Sequence, residues 1–235
     1  MMLVGAVSEA WYYPVKSLGG HVVPALHLDA RGVIGDRAFA VYGTDGKIGS
    51  GKSTRRFRRM DGLLECSVDV DEAGALWLRA PTGGPIAIPS AEADAALSDL
   101  VGEAVRVEPE RTVAHFDAGA LHILSTSSLE WLADRLGGAV PAARFRPNLV
   151  IQTPDAPPHV EDGWVGRRLA VGGAVLEITA PTERCVMVTM PQPGLATDER
   201  ILRLLARERD ACFGVYASVV VPGTVRLGDP IEVLP

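Results

Sequence analysis

Gly46-Lys47-Ile48-Gly49-Ser50-Gly51-Lys52-Ser53 satisfies the spacing of a phosphate-cradling P-loop letter for letter, and its context decides the fold. A working P-loop joins a buried parallel strand to a helix whose N-terminal amides face the phosphates, and that helix needs an apolar face. Here the strand-like run Arg37 to Tyr42 and the hairpin-turn dipeptide Asp45-Gly46 come before it, and the basic run Arg55-Arg56-Phe57-Arg58-Arg59 comes after. No helical periodicity follows. The segment therefore reads as a glycine-rich loop beside a basic patch, and no nucleotide binding is expected. The basic patch is a solvated face, placed where it could steer anions or rim a cleft.

Outward from this loop, short β-rich runs alternate with turns, as in a barrel or sandwich. They are Leu3 to Val7, Val22 to Leu28, Arg37 to Tyr42, Leu63 to Val70 and Ala75 to Ala80. Pro24 predicts an edge strand. Three helices punctuate the remainder. Ser90 caps one ahead of Ala93, Ala96, Leu97, Leu100 and Val101, with Gly102 ending it. Ser127 with Glu130 makes a capping box for the second, and Thr197 opens the third. Strand signals resume at Leu149 to Gln152, Val175 to Thr179, Val186 to Met190, Tyr216 to Val221 and Ile231 to Leu234. The expected fold is mainly β with a few helices (α+β), a barrel-like unit over 1–90 packed on a second β-barrel unit over 91–235.

The 235 residues are 47% hydrophobic and 22% charged, enough for a sizeable core and far from the composition of disorder. A net charge of -6 argues against wrapping nucleic acid, since duplex affinity comes from Lys and Arg on phosphates. Any anion site must be local. The opening MMLVGAVSEAWYYPVKS has no basic leader and its apolar run is cut at Ser8 and Glu9, so it is a poor secretory signal. Val215 to Val221 is far shorter than the ~20 residues that cross a bilayer. A soluble, cytoplasmic protein with no membrane partner is expected.

Cys66, Cys185 and Cys212 cannot all pair and none lies in a Cys-x-x-Cys spacing, which suggests neither a disulfide framework nor a zinc site. Cys66 and Cys212 read as packing residues. Cys185 lies in a polar loop after Pro181, with Glu183 and Arg184 beside it. A neighbouring guanidinium favours the thiolate, a soft metal ligand. The histidines His21, His27, His115, His122 and His159 show no paired ligand spacing and read as structural or surface residues.

Several fragments, taken in order, resemble a known family. Tyr13-Pro14-Val15-Lys16-Ser17 is similar to the opening motif of the MOSC N-terminal β-barrel domain, and Gly35-Asp36-Arg37 to its second landmark. Arg144-Phe145-Arg146-Pro147-Asn148-Leu149-Val150, then Arg184-Cys185-Val186 with Thr189, then Phe213-Gly214-Val215-Tyr216 and Gly228-Asp229-Pro230 resemble the MOSC domain. The order and spacing span nearly the whole chain and are similar to the amidoxime-reducing proteins and their bacterial relatives.

The resemblance implies a molybdenum cofactor, a pyranopterin–molybdenum group, in a cleft between two barrels. Cys185 matches the metal ligand, with Glu183 and Arg184 in the same cofactor loop. Lys16, Ser17 and Arg37 match cofactor and phosphate contacts. Ser125, Thr126 and Ser127 fall where relatives hold the pterin at a helix start, and Arg146 and Asn148 match the Arg-Pro-Asn contacts. These residue types suit the ligand, since a phosphate wants fixed positive charge and a pterin edge wants paired donors and acceptors.

The implied activity is oxidoreduction of a small N-oxygenated substrate, with Arg184 or Asn148 stabilising negative charge on the leaving oxygen. Electrons would come from a separate flavoprotein or ferredoxin-type donor. The family-level term pyridoxal phosphate binding accompanies the resemblance. The alternative is a cofactor or sulfur carrier using Cys185. Thr182 stands where relatives often have a second cysteine, and Leu18 where many have another.

Overall fold

Apolar residues alternate along Ala174–Glu183 and Cys212–Val221, so each of these ten-residue strands turns one face inward. Ala174, Leu176 and Ile178 from the first, with Phe213, Val215 and Ala217 from the second, are almost fully buried. The two strands pair antiparallel from Val175↔Val221 to Glu183↔Cys212. They form the spine of a closed seven-stranded barrel in the computed structural model, which describes residues 2–235.

Around the barrel the order is Leu149–Gln152, Leu121–Ser125, Cys212–Val221, Ala174–Glu183, Arg168–Val171, Pro230–Val233 and Met2–Tyr12. Met2–Tyr12 closes the ring by pairing Ala6 with Gln152 and Ala10 with Leu149. All contacts are antiparallel except Leu121–Ser125 beside Leu149–Gln152. That parallel pair needs a crossover, supplied by helix α2, Thr126–Leu136. Closure removes free sheet edges and seals Val7, Ile123, Ile151, Leu169 and Ile231 into one core.

The N-terminal unit has a four-stranded sheet in the order Val105–Pro109, Phe39–Gly43, Ile48–Ser50, Phe57–Arg59, and a three-stranded sheet from Ser67 to Ile88. Helix α1, Ala91–Val101, is capped by Ser90, whose side chain accepts from Ala93 N, and ends at Gly102 with φ 74°. Its Ala93 and Leu97 join Val15, Val41, Leu63 and Val107 in a second core. The expected mainly β architecture of a barrel-like unit packed on a β-barrel is thus present. We place the division between the units nearer residue 110 than 90, because α1 and Val105–Pro109 are built into the N-terminal core.

Several local expectations shift. Val186–Thr189 is a 3-10 turn rather than a strand, because no sheet edge remains beside it once Arg184 N has bonded to Ala211 O. Helix α2 starts at Thr126, capped by Ser125 in place of the Ser127 capping box. Helix α3 is Arg200–Arg209, three residues later than Thr197 suggested, since Asp198 accepts from Arg200 N ahead of the helix. Ala25–Asp29 is a central strand in its sheet, not an edge: Pro24 stops short of it, so no ladder donor is lost.

Candidate functional site

Between the two units lies a cleft of about 90 Å³ whose walls come from seven separated stretches of chain. Lys16, Ser17 and Arg37 enter from the N-terminal unit. Arg146, Asn148, Glu183, Arg184 and Cys185 enter from the barrel. Eight expected site residues therefore meet in one place. Ser125, Thr126 and Ser127 are not among the lining residues.

Those three instead belong to a closed polar network beneath α2. Ser125 Oγ and Ser128 Oγ bond to the two oxygens of Glu161, which is fully buried, and Ser127 Oγ bonds to Thr153 Oγ1 at 3.2 Å. Burial raises the Glu161 pKa despite those hydroxyl donors. A serine-rich helix start can satisfy an internal carboxylate as well as a ligand, and here it does the former.

Three of the seven non-glycine residues with positive φ among the described residues lie at the cleft. Ser17 (φ 67°), Arg37 (φ 50°) and Arg146 (φ 55°) all take the left-handed conformation, which costs a non-glycine residue about 1–2 kcal/mol. Each is locked by hydrogen bonds. Ser17 Oγ donates to Gly49 O at 2.9 Å, Arg37 N donates to Tyr13 O at 2.7 Å, and Arg146 N donates to Ala143 O at 3.0 Å. Arg37 also pairs with buried Asp36, whose other oxygen accepts from Tyr13 N. The Arg37 and Arg146 guanidiniums both lie over the Tyr13 ring, at 4.8 and 4.4 Å from its centroid.

Asn148, 1% exposed, is committed to the protein. Its Oδ1 accepts from His122 N at 3.2 Å and faces Arg37 Nη1 at 3.4 Å, while Nδ2 donates to Trp11 O at 3.4 Å. Arg184 Nη2 donates to Phe145 O at 2.7 Å, and its Nη1 lies 3.4 Å from His122 Nε2. Buried Arg144 donates to the carbonyls of Val188, Met190 and Ala196, pinning the turn that follows Cys185. Cys185 is half-buried; Cys66 is sealed in the N-terminal core, where burial pushes its thiol up to about 12.

Six cationic side chains line this cleft against only two carboxylates, in a chain whose net charge is -6. Burial, then repulsion from Arg37, brings Arg146 down to about 10. Burial lowers Lys16 to about 8, opposed by its ion pair with Asp117. Asp117 is driven the other way: burial would raise it, but Lys16 2.6 Å away holds it at about 2. Burial and Arg184 together keep the His122 imidazole neutral, well below its ordinary range.

Lys52, Asp117, His122 and Tyr216 were not expected here. Lys52 stands in the glycine-rich loop, which rims the cleft without being a P-loop: Ile48–Ser50 is a strand and no helix follows it. A lysine after consecutive small residues was its only sequence signal. His122 is brought in by Gly214 (φ 80°), where a Cβ would stand 2.5 Å from His122 Nε2. Among the described residues no cluster of three or more His, Cys, Asp or Glu could hold a metal ion, and no helix is long and apolar enough to cross a membrane.

Residues 110–232 match the family model described as MOSC domain, and residues 4–120 the MOSC N-terminal beta barrel domain. Mitochondrial amidoxime-reducing component 1 of Homo sapiens is 25% identical over 98% of this chain and 83% of its own length. Mitochondrial amidoxime reducing component 2 of Bos taurus is 26% identical over 97% of this chain and 83% of its own. The crystal structure of the YUAD protein from Bacillus subtilis shares the fold at TM-score 0.51 and 14% identity, covering 97% of this chain and 94% of that one. The barrel and the N-terminal unit are these two domains, and this chain belongs to the MOSC family.

Proposed function

We propose that this chain is a molybdenum-cofactor-dependent oxidoreductase that reduces N-hydroxylated or related N–O and S–O compounds, with electrons from a separate flavoprotein or ferredoxin-type donor. The observation that carries the reading is a single half-buried thiol, Cys185, sharing a cleft with a cluster of buried cations. Relatives named as amidoxime-reducing components support the reaction class.

The residues fit such a group. Arg146 Nη2, Arg184 Nε and His122 Nδ1 are buried without a hydrogen-bond partner, each an arrangement costing about 1–3 kcal/mol that a polar ligand would relieve. One cysteine sulfur with no companion ligand cluster among the described residues suits a metal that arrives already held by an organic ligand. When bound, the molybdenum–pterin group supplies two-electron oxygen-atom chemistry.

In this reading Cys185 is the protein's ligand to the metal. Lys16 and Arg37 hold the terminal phosphate, while Arg146 and Glu183 contact the pterin. Ser17 ties the Lys16 segment to the glycine-rich loop at Gly49. Asn148 positions Arg37 and the His122 strand and so acts through them. Arg184 is placed to stabilise negative charge developing on the leaving oxygen. Converting N–OH to N–H and water takes two electrons and two protons; the donor protein provides the electrons and solvent at the cleft mouth the protons.

The test is elemental and pterin analysis of protein from a cofactor-competent host, followed by turnover of N-hydroxylated substrates with reduced viologen. Near-stoichiometric molybdenum and turnover are expected. Zinc alone, or no metal, would refute the enzyme reading; full occupancy without turnover would favour the carrier using Cys185.

A further inference from the structure

The cleft is too small for what it is built to hold. Cavities that enclose ligands of cofactor size run to about 300–1,000 Å³, and this one is about 90 Å³. Part of its wall must move.

Three of its walls are braced. Arg144 fixes the turn after Cys185, Arg184 is fixed on Phe145, and Arg37 is held by Tyr13 and Asp36. The fourth wall is the irregular stretch between Glu110 and the strand beginning at Leu121. Its first half is also tied down. Buried His115 bonds to Arg37 O at 2.8 Å and to the Tyr42 hydroxyl at 2.9 Å, and Arg56 donates to the carbonyls of Ala114 and Phe116. Arg31 lies 4.4 Å from the centroid of the Phe116 ring.

After Phe116 the ties stop. Asp117, Ala118 and Gly119 make no backbone hydrogen bond to another described residue. Gly119 rests against Tyr216, where a Cβ would meet the ring at 2.5 Å. The segment's polar contact with the cleft is the Asp117 side chain, with Oδ2 2.6 Å from Lys16 Nζ and Oδ1 3.5 Å from Lys52 Nζ. The Lys16 side chain is 4% exposed and the Asp117 side chain 35%, so the carboxylate sits in the mouth and the ammonium behind it.

We propose that Asp117 is an internal stand-in for a phosphate: the Asp117–Ala120 segment stoppers the cleft by placing its carboxylate on Lys16 and Lys52, and a phosphomonoester-bearing ligand enters by displacing it. A buried ammonium left alone would be driven to lose its proton, so the closed protein needs a counter-charge. A carboxylate supplies one negative charge on a hinge of small residues. A phosphomonoester supplies nearly two and three acceptor oxygens, so it outcompetes the carboxylate for the same lysines. The consequence is a cleft that stays shut against solvent anions of lower charge until its ligand arrives. The proposal rests on the cofactor reading both for the size of ligand the cleft must admit and for naming its phosphate.

The test uses the full chain from a host that cannot make the cofactor, with inorganic phosphate as the probe. Asp117→Asn and Asp117→Ala should bind phosphate about tenfold more tightly than wild type by calorimetry, the scale of one charge-assisted contact removed from competition. They should also label faster at Cys185 with a bulky thiol reagent, read by peptide mass spectrometry. Lys16→Met should abolish the phosphate binding. In the wild type, which needs no variant to fold, the amide resonances of Asp117–Ala120 should move toward random-coil positions as phosphate saturates. Equal or weaker phosphate binding in both Asp117 variants, unchanged Cys185 labelling, or resonances of that segment that do not respond would each overturn the stopper. Those outcomes leave molybdenum content untouched, and absence of molybdenum in protein from a competent host leaves these measurements untouched, so the two readings fail separately.

Discussion

Arg184 Nη2 reaches back across the cleft to the Phe145 carbonyl at 2.7 Å, so the residue beside Cys185 is fastened to the turn that carries Arg146. The two barrel motifs are therefore one mechanical unit, and the thiol's position is set by a guanidinium rather than by its own packing.

Replacing Cys185 with Ser should leave the fold intact, because the side chain is half-buried at a cleft wall, yet turnover should vanish and molybdenum content should fall. Cys66→Ala should keep turnover and lose about 1 kcal/mol of stability from a small core cavity. Paired measurements of metal content, turnover and urea midpoint check this. Wild-type turnover in Cys185→Ser would show that the metal is held elsewhere.

Arg184→Lys keeps the charge and loses the fork. A lysine cannot bond Phe145 O while also approaching His122, so turnover should drop at least about tenfold at near-normal cofactor content. Comparing kcat with KM separates a loss at the reacting oxygen, seen in kcat, from a loss of binding.

Phosphate affinity should fall as pH rises through about 8, where burial leaves Lys16 losing its proton. Below that value Lys16 is charged and binding is strong; above it only Lys52, Arg37 and Arg146 remain, with Asp117 opposing. Calorimetry between pH 7 and 9.5 reads the change, and an affinity constant across that range would remove Lys16 from the anion site.

Acid should destabilise the protein through its buried histidines. Burial and the nearby Arg209 lower His159 from 6.5 to about 4, so between those values the unfolded chain binds a proton that the folded chain refuses. Stability is therefore greatest above pH 6.5 and declines as pH falls toward 4, with buried His122 acting in the same direction. His159→Asn, which tolerates the φ of 61°, should flatten part of that decline in urea titrations. Superimposable curves for variant and wild type would assign the decline to other groups.

ATP and GTP should not bind in a magnesium-dependent manner, because the segment after Ser53 runs into the strand Phe57–Arg59 and no helix dipole faces the loop. Micromolar, magnesium-dependent binding lost in Lys52→Ala would overturn this.

The β class and the three helices were legible because period-2 runs and glycine stops are local signals. The cleft was legible only where motifs marked it, at Tyr13–Ser17, Gly35–Arg37, Phe145–Asn148 and Glu183–Cys185. Lys52 and Asp117 were missed because their partnership spans 65 positions and neither sits in a periodic element; only the closed structure puts them together. Ser125–Ser127 lie outside the cleft lining for a different reason. A helix N-terminus rich in hydroxyls advertises an acceptor but does not say whose, and Glu161, far along the chain, had the stronger claim. Val186 to Met190 read as a strand by propensity alone, and propensity yields when no neighbouring edge is free.

Met2–Tyr12 is the first strand of the chain and a stave of the last barrel, pairing with Pro230–Val233 on one side and Leu149–Gln152 on the other. During synthesis that strand must therefore wait, while the N-terminal core assembles beyond it, for partners made some 140 and 230 residues later. Such long-range closure slows folding and leaves an apolar edge in need of protection meanwhile. It also makes the two units inseparable: a fragment lacking the first dozen residues keeps every motif of the cleft's barrel half and loses the stave that holds the ring shut.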